Sequence, residues 1–118
     1  MFAITVPWPI SANAYYTRGK SWISQKGRIW RDLAIGQIWD QTGGRRPVPL
    51  VGRVSLTFEI WMPDDRRRRD LDNYTGKHVI DMLTKSGVWE DDSQVWEIHQ
   101  YRRGKRGRGE IRIEIKEI

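Results

Sequence analysis

Cysteine is absent from the 118 residues, which excludes disulfides, thiolate zinc sites and thiol nucleophiles together and agrees with a reducing compartment. Histidine is scarce. His78 and His99 stand far apart and lack the local spacing of a histidine metal motif, so zinc hydrolase chemistry is disfavoured. No apolar run approaches the roughly 20 residues that a bilayer-crossing helix needs. The first ten residues have no basic start and are interrupted by Pro7 and Pro9, which is the wrong pattern for a secretory signal. The expectation is a soluble cytoplasmic protein with no membrane partner. With 38% hydrophobic residues, the chain can fill one core and is too short for two, so residues 1–118 are read as a single domain.

Positive charge is in excess, at a formal +6, which favours a polyanionic partner and says little about fold. Its distribution is more informative. Between Asp70 and Glu97 seven acidic residues face two basic ones, Lys77 and Lys85. Arg66, Arg67, Arg68 and Arg69 stand directly before this segment, and Arg102, Arg103, Lys105, Arg106 and Arg108 follow it. An acidic segment between two cationic arms would repel a nucleic acid unless it were neutralised, and a divalent cation is the simple neutraliser. The pattern points to a metal-dependent enzyme acting on nucleic acid. The arms, if more than solvated loops, would contact phosphates without reading sequence.

The element order reads β-α-β-α-β-β. Residues 2 to 6 form a short strand closed by Pro7 and Pro9, and Ser11 to Lys20 a polar loop. Trp30, Leu33, Ala34 and Ile38 recur at helical spacing between Ser24, a plausible cap, and Gln41. Val54, Leu56, Phe58, Ile60 and Met62 alternate with polar residues and Trp61 as in a half-buried strand. A second helix runs from near Asn73 or Lys77 to Lys85, with Val79, Ile80 and Leu83 inward and Gly87 as its C-terminal cap. Strands follow over Gln94 to Tyr101 and through Ile111, Ile113 and Ile115, and the last two strands are expected to form a hairpin. This order implies an α+β domain, a four-stranded mixed sheet with two helices packed on it. Of the seven tryptophans, most should fill the core or a subunit interface, while Trp22 and Trp89, next to polar loops, are candidates for stacking on bases.

The chemistry concentrates in Arg69-Asp70-Leu71-Asp72-Asn73, Lys77 and Asp91-Asp92. Phosphodiester hydrolysis needs an activated water, a stabilised pentacovalent phosphorus and an assisted leaving oxygen, and carboxylate-held metal ions supply these. Magnesium takes oxygen ligands and keeps several waters, so two or three carboxylates suffice. Asp70 and Asp72 point the same way if the backbone between them is extended, whereas in a helix they diverge by about 200°. Each residue also has a purely structural reading: Asp72 as a helix N-cap, Asp70 as a partner of nearby arginines, Asp91-Asp92 as a solvated turn. Lys77 is either a point charge for the scissile phosphate or an i, i+4 partner of Asp81. Asp81 itself reads as that partner or as outer support for a metal site.

The run Arg66-Arg-Arg-Arg-Asp-Leu-Asp-Asn73, then Lys77 with Asp81, then Gly87-Val-Trp-Glu-Asp-Asp-Ser-Gln-Val95, closely resembles the RusA family of Holliday junction resolvases. The similarity extends to Pro7-Trp-Pro-Ile-Ser-Ala-Asn13, Tyr15-Tyr16 and the terminal strand, nearly the whole chain. The resemblance implies a homodimer on four-way DNA junctions, with one magnesium-dependent site per strand for paired cuts in recombination and repair, and manganese as a substitute metal. By motif position, Asp70, Asp72 and Asp92 correspond to the catalytic carboxylates, Asp91 to the adjoining acid and Lys77 to the family lysine, and Asn13 lies in the shared N-terminal element, a candidate DNA contact. One residue more than the family pattern stands between Asn73 and Lys77. On a continuous helix it would swing the lysine by about 100°, and Gly76 would let a loop absorb it. The competing readings are a non-catalytic branched-DNA or RNA-binding module on the same scaffold and a magnesium nuclease for flaps or other branches.

Overall fold

In the computed structural model, which describes residues 2–17, 22–64 and 70–118 apart from the side chain of Asp72, the alternating apolar segments are strands β1 (Phe2–Pro7), β2 (Val54–Met62), β3 (Val95–Lys105) and β4 (Glu110–Glu117). Two longer helices, α2 (Gln25–Gln41) and α4 (Lys77–Ser86), accompany two four-residue ones, α1 (Ala12–Tyr15) and α3 (Asp72–Thr75). The arginine run 66–69 lies outside the described residues.

The strands form one mixed sheet in the order β1-β4-β2-β3. β4 is antiparallel to both neighbours, and β2 is parallel to β3. Val54, Leu56, Phe58, Ile60 and Met62 of β2 and Ile111, Ile113 and Ile115 of β4 project into the core, all at most 3% exposed. Residues at i, i+2 share a face, so the opposite faces of these strands carry Thr57, Glu59, Arg112 and Glu114, where Arg112 binds both Glu59 and Glu114.

The expected terminal hairpin does not form. After β3 the chain crosses over the end of β2, and β4 inserts between β1 and β2. Burial explains the outcome. Each isoleucine of β4 gains roughly 1.5–3 kcal/mol from full burial, which a central strand provides, whereas β3, exposed along most of its length, tolerates the edge. The crossing is short and tight. Arg106 N donates to Met62 O at 2.9 Å, and Gly109, at φ +83°, lies so close that a Cβ would sit 3.0 Å from Pro63 N and Cδ. The other edge is closed by Gln41 at the end of α2, whose amide donates to Thr5 O and accepts from Thr5 N, both at 2.7 Å.

The helix ends follow their caps. Ser24 accepts from Gly27 N to start α2, and Gly87, at φ +93°, ends α4 in the left-handed conformation. Leu50 N donates to Val88 O, tying the segment after α4 to the segment before β2. Trp89, a candidate for base stacking, is instead 1% exposed in the core, while Trp22 is exposed. The Trp89 indole needs a partner when buried and finds one in Thr84.

His78, on α4, is fully buried. Its Nε2 lies 3.1 Å from Ile10 O, a pure acceptor, so Nε2 carries the proton, and Nδ1 is buried without a hydrogen-bond partner among the described residues. Burial depresses its pKa below the ordinary 6.5, partly offset by the Ile10 bond. The unfolded chain therefore takes up a proton that the folded one refuses. This contribution to stability is complete above pH 6.5 and falls as the pH drops below it, by up to about 1.4 kcal/mol per pH unit. Urea unfolding at pH 7.5 and pH 5.0 should show this loss, and His78→Gln should flatten it. An equal loss in the variant would assign the acid sensitivity elsewhere.

Candidate active site

Three residues one and two turns apart on α4, Lys77, Asp81 and Thr84, share a face by their i, i+4, i+7 spacing. The face exists because α4 begins at Lys77. Gly76 is extended, at φ −82° and ψ −155°, and separates α3 from α4. Two short helical segments thus stand in place of one continuous helix, and the helix phase restarts at the lysine.

The site is completed by Asp92, which opens a 3-10 turn (Asp92–Gln94) leading into β3. That turn is fixed by two neighbours. Asp91 accepts from the backbone and hydroxyl of Ser93. Gln94 accepts from the backbone N–H groups of Glu90 and Asp91 and donates to Leu50 O and Gly52 O. The Asp91 bonds to Ser93 hold its carboxyl below the ordinary carboxylate range.

Asp81 is the hub of the cluster. It accepts from Lys77 Nζ at 3.0 Å on both oxygens and from Tyr16 OH at 3.3 Å. The Asp81 hydrogen bond raises the Lys77 ammonium above its ordinary value, aided by the charges of Asp81 and Asp92 and opposed by partial burial. Burial and Asp81 together push the Tyr16 phenol up to about 12. Asp92 is raised chiefly by burial and also by Asp81, against the lowering effects of the Thr84 hydrogen bond and Lys77. The side chain of Thr84 bonds Asp92. Two carboxylates and one ammonium therefore meet at one place, with an aromatic hydroxyl behind them. Tyr16, Thr84 and the junction of Asp81 with Asp92 were not recognised in the sequence, although the spacing of 77, 81 and 84 was the available signal.

An open groove of about 490 Å³ runs beside the cluster, lined by Lys77 and Asp92 on its polar side and by Ile80, Val95 and Ile98 on its apolar side. Gln100 also lines it, held by Thr75 Oγ1 at 2.8 Å.

The acidic motif lies at the start of α3. Leu71 is in the right-handed helical region and Asp72 is the first helical residue, so the extended backbone that would align Asp70 with Asp72 is absent. Nor is Asp72 the N-cap, a position held by Leu71. Asp70 is exposed, and its carbonyl accepts from Asn73 N at 3.1 Å. Asn73 has a structural duty of its own, because its side-chain oxygen accepts from Ala12 N at 3.1 Å. Together with the Trp8–Tyr74 ring contact and the His78–Ile10 bond, this clamps the N-terminal element over α3 and α4 and leaves Asn13 exposed on α1.

Among the described residues, no group of three or more His, Cys, Asp or Glu is close enough to hold a metal. The donors at the cluster itself are all oxygens. His78 turns away to Ile10, and His99 sits by Glu97 on exposed β3. Oxygen donors carrying net negative charge fit a hard dication that prefers oxygen ligands.

Of the second cationic arm, Arg102, Arg103 and Lys105 lie on β3, and Arg106 and Arg108 follow it, all exposed. Arg103 pairs with Glu59 at 3.1 Å and Arg106 with Glu110 at 3.2 Å, and Arg106 also stacks 4.0 Å over Trp61. Arg102 is in register with Ile60, as Ile98 is with Leu56, which puts it on the face of β3 that borders the groove.

A family model described as endodeoxyribonuclease RusA matches residues 7–116. The crossover junction endodeoxyribonuclease of Enterobacteria phage 82 is 45% identical over 96 residues, covering 80% of this chain and 76% of that protein. Its counterpart in Escherichia coli strain K12 is 43% identical over the same length. A third relative, from Escherichia coli O139:H28, is 35% identical over 119 residues, covering 99% of this chain and 95% of its own. No described helix is long and apolar enough to cross a membrane.

The Lys77–Asp81 contact makes a direct prediction. Asp81→Asn should move the Lys77 ammonium pKa downward, read from the lysine side-chain carbon resonance during a pH titration by NMR. A titration superimposable on that of the parent would show that the pair does not persist in solution.

Proposed function

Since the chain belongs to the RusA family of endodeoxyribonucleases, we propose that it resolves four-way DNA junctions by paired, magnesium-dependent phosphodiester hydrolysis, acting as a homodimer in recombination and repair. The observation that carries the reading is the meeting of Asp92 with Lys77 and Asp81 at the mouth of an open groove. A merely solvated acidic turn would have no reason to abut a lysine on another element.

In this reading, which rests on motif position and not on the helical backbone at Leu71, Asp70, Asp72 and Asp92 would hold the metal, with Asp91 adjoining. The bound ion supplies Lewis acidity toward the phosphate and makes a water nucleophilic near neutral pH. The chain's own groups do the rest. Lys77 presents a compact cation to a phosphate oxygen. Asp81 and Tyr16 hold that lysine at the groove, and the apolar wall of Ile80, Val95 and Ile98 lowers the local dielectric, which strengthens each electrostatic contact. Arg102, Arg103, Lys105, Arg106 and Arg108 bind backbone phosphates without reading bases. Arg66, Arg67, Arg68, Arg69 and Asn13 are assigned the same duty. Manganese, also an oxygen-binding dication, should substitute for magnesium.

The test uses a synthetic four-way junction with magnesium. Asp70→Asn, Asp72→Asn and Asp92→Asn should each lower cleavage at least about 10²-fold while junction binding, followed by gel shift without metal, is retained. A parent protein that binds the junction yet cuts nothing in magnesium or manganese would make the chain a binding module instead. Sedimentation of the junction complex should show two protomers.

Binding should weaken steeply with salt. Replacing Arg102 and Arg108 together by alanine should reduce the slope of log K against log salt by about 2, one for each phosphate that is no longer neutralised. An unchanged slope would remove the β3 arm from the DNA interface.

A further inference from the structure

Behind Asp92 stands a hydrogen-bond relay that begins in the core. The indole N–H of Trp89, a residue 1% exposed, donates to Thr84 Oγ1 at 2.6 Å. An indole nitrogen can only donate, so the direction of this first bond is fixed. The Thr84 hydroxyl then has one proton to give and two acceptors in reach, Ile80 O at 3.1 Å and the Asp92 carboxylate. A bond to an ionised acceptor is roughly twice as strong as one to a neutral carbonyl, which sends the proton to Asp92. The relay therefore runs Trp89 to Thr84 to Asp92 in one sense only.

Each member is held independently. Trp89 packs in the core and is bridged to Leu50, Thr84 is a β-branched residue on α4 with few allowed rotamers, and the backbone of Asp92 is set by the Asp91 and Gln94 contacts of its turn.

We propose that Thr84, locked by the indole of Trp89, is a positioning residue that fixes the Asp92 carboxylate in the orientation required to ligate a divalent cation. The proposal rests on the reading of Asp92 as a metal ligand. It is chemically specific. Supporting hydrogen bonds to ligating carboxylates orient them, and their removal typically lowers metal affinity or activity 10–100-fold. Without Thr84, Asp92 is left with Asp81, a like charge, and Lys77 as its charged neighbours, and a freely rotating carboxylate would turn to the lysine. Nothing in this function requires Thr84 to touch DNA.

The experiment measures Mn²⁺ binding to the DNA-free protein by electron paramagnetic resonance, and the magnesium dependence of junction cleavage, for the parent, Thr84→Val, Thr84→Ser, Trp89→Phe and Asp92→Asn. Thr84→Val keeps the shape and removes the hydroxyl. It should weaken Mn²⁺ binding 10–100-fold and raise the half-saturating magnesium by a similar factor, with cleavage recovering at high magnesium and metal-free junction binding unchanged. Thr84→Ser should restore most of the affinity, and Trp89→Phe, which removes the donor to Thr84 together with part of the buried ring, should fall between Thr84→Val and the parent. A merely structural threonine would lower the thermal midpoint without moving the metal affinity. Unaltered Mn²⁺ binding in Thr84→Val, beside a loss in Asp92→Asn, overturns the relay and leaves the ligand reading intact. Unaltered binding in Asp92→Asn overturns both. Should Thr84→Val not fold, Trp89→Phe decides by the same measurement, with parent-like affinity counting against the relay.

Discussion

The parallel pairing of β3 with β2 is the constraint on which the site depends. Parallel neighbours cannot be joined by a tight turn, and the chain must return along one face of the sheet before the second strand starts. Here the return is made by α3 and α4, so that β3 begins beside the first residues of β2, with Val95 in register with Val54. The Asp92 turn just ahead of β3 is thereby set against α4 and not out in solvent. Everything chemical about the cluster, the carboxylate pair, the lysine and the relay from Trp89, follows from that return path.

A second constraint is the interruption at Gly76. An unbroken helix from Asp72 onward would fix Lys77 in phase with Asp72 and Asn73. The interruption decouples the two helices: α3 is free to be anchored through Asn73 to Ala12 and through Thr75 to Gln100, and α4 takes its phase from the burial of His78, Val79, Met82 and Leu83. The hydrophobic face of α4 thus dictates where Lys77, Asp81 and Thr84 project. Packing energy, much larger than any exposed ion pair, sets the geometry, and the Lys77–Asp81 contact accepts it. Exposed i, i+4 pairs stabilise by only about 0.3–0.5 kcal/mol.

The two sheet edges are treated differently. β1 is capped by the amide of Gln41, which mimics a neighbouring strand for Thr5, while β3 has no further strand beside it among the described residues and carries arginines and a lysine. Charged side chains on an open edge discourage indiscriminate pairing with other chains, and the same residues form the cationic arm proposed above to bind DNA. The crossing after β3 is bound to Met62 O and pressed against Pro63.

Much of this was determined by local pattern. The alternation of β2 and β4, the Ser24 cap, the Gly87 stop and the α+β class are properties of nearest neighbours along the chain, and the DLDN and DD elements by themselves pointed to the family. What only tertiary structure decided concerns long-range choice. Strand order was one such matter: residues adjacent in sequence, β3 and β4, were expected to pair, but the fully apolar inward face of β4 took the central place and left the edge to β3. The burial of Trp89 was another, since a tryptophan beside a polar loop has the same local pattern whether its ring turns inward or out. The last was the partnership of Asp81, Thr84 and Asp92, which come from a helix and a turn that meet only because a parallel strand has to be reached by way of the sheet's face.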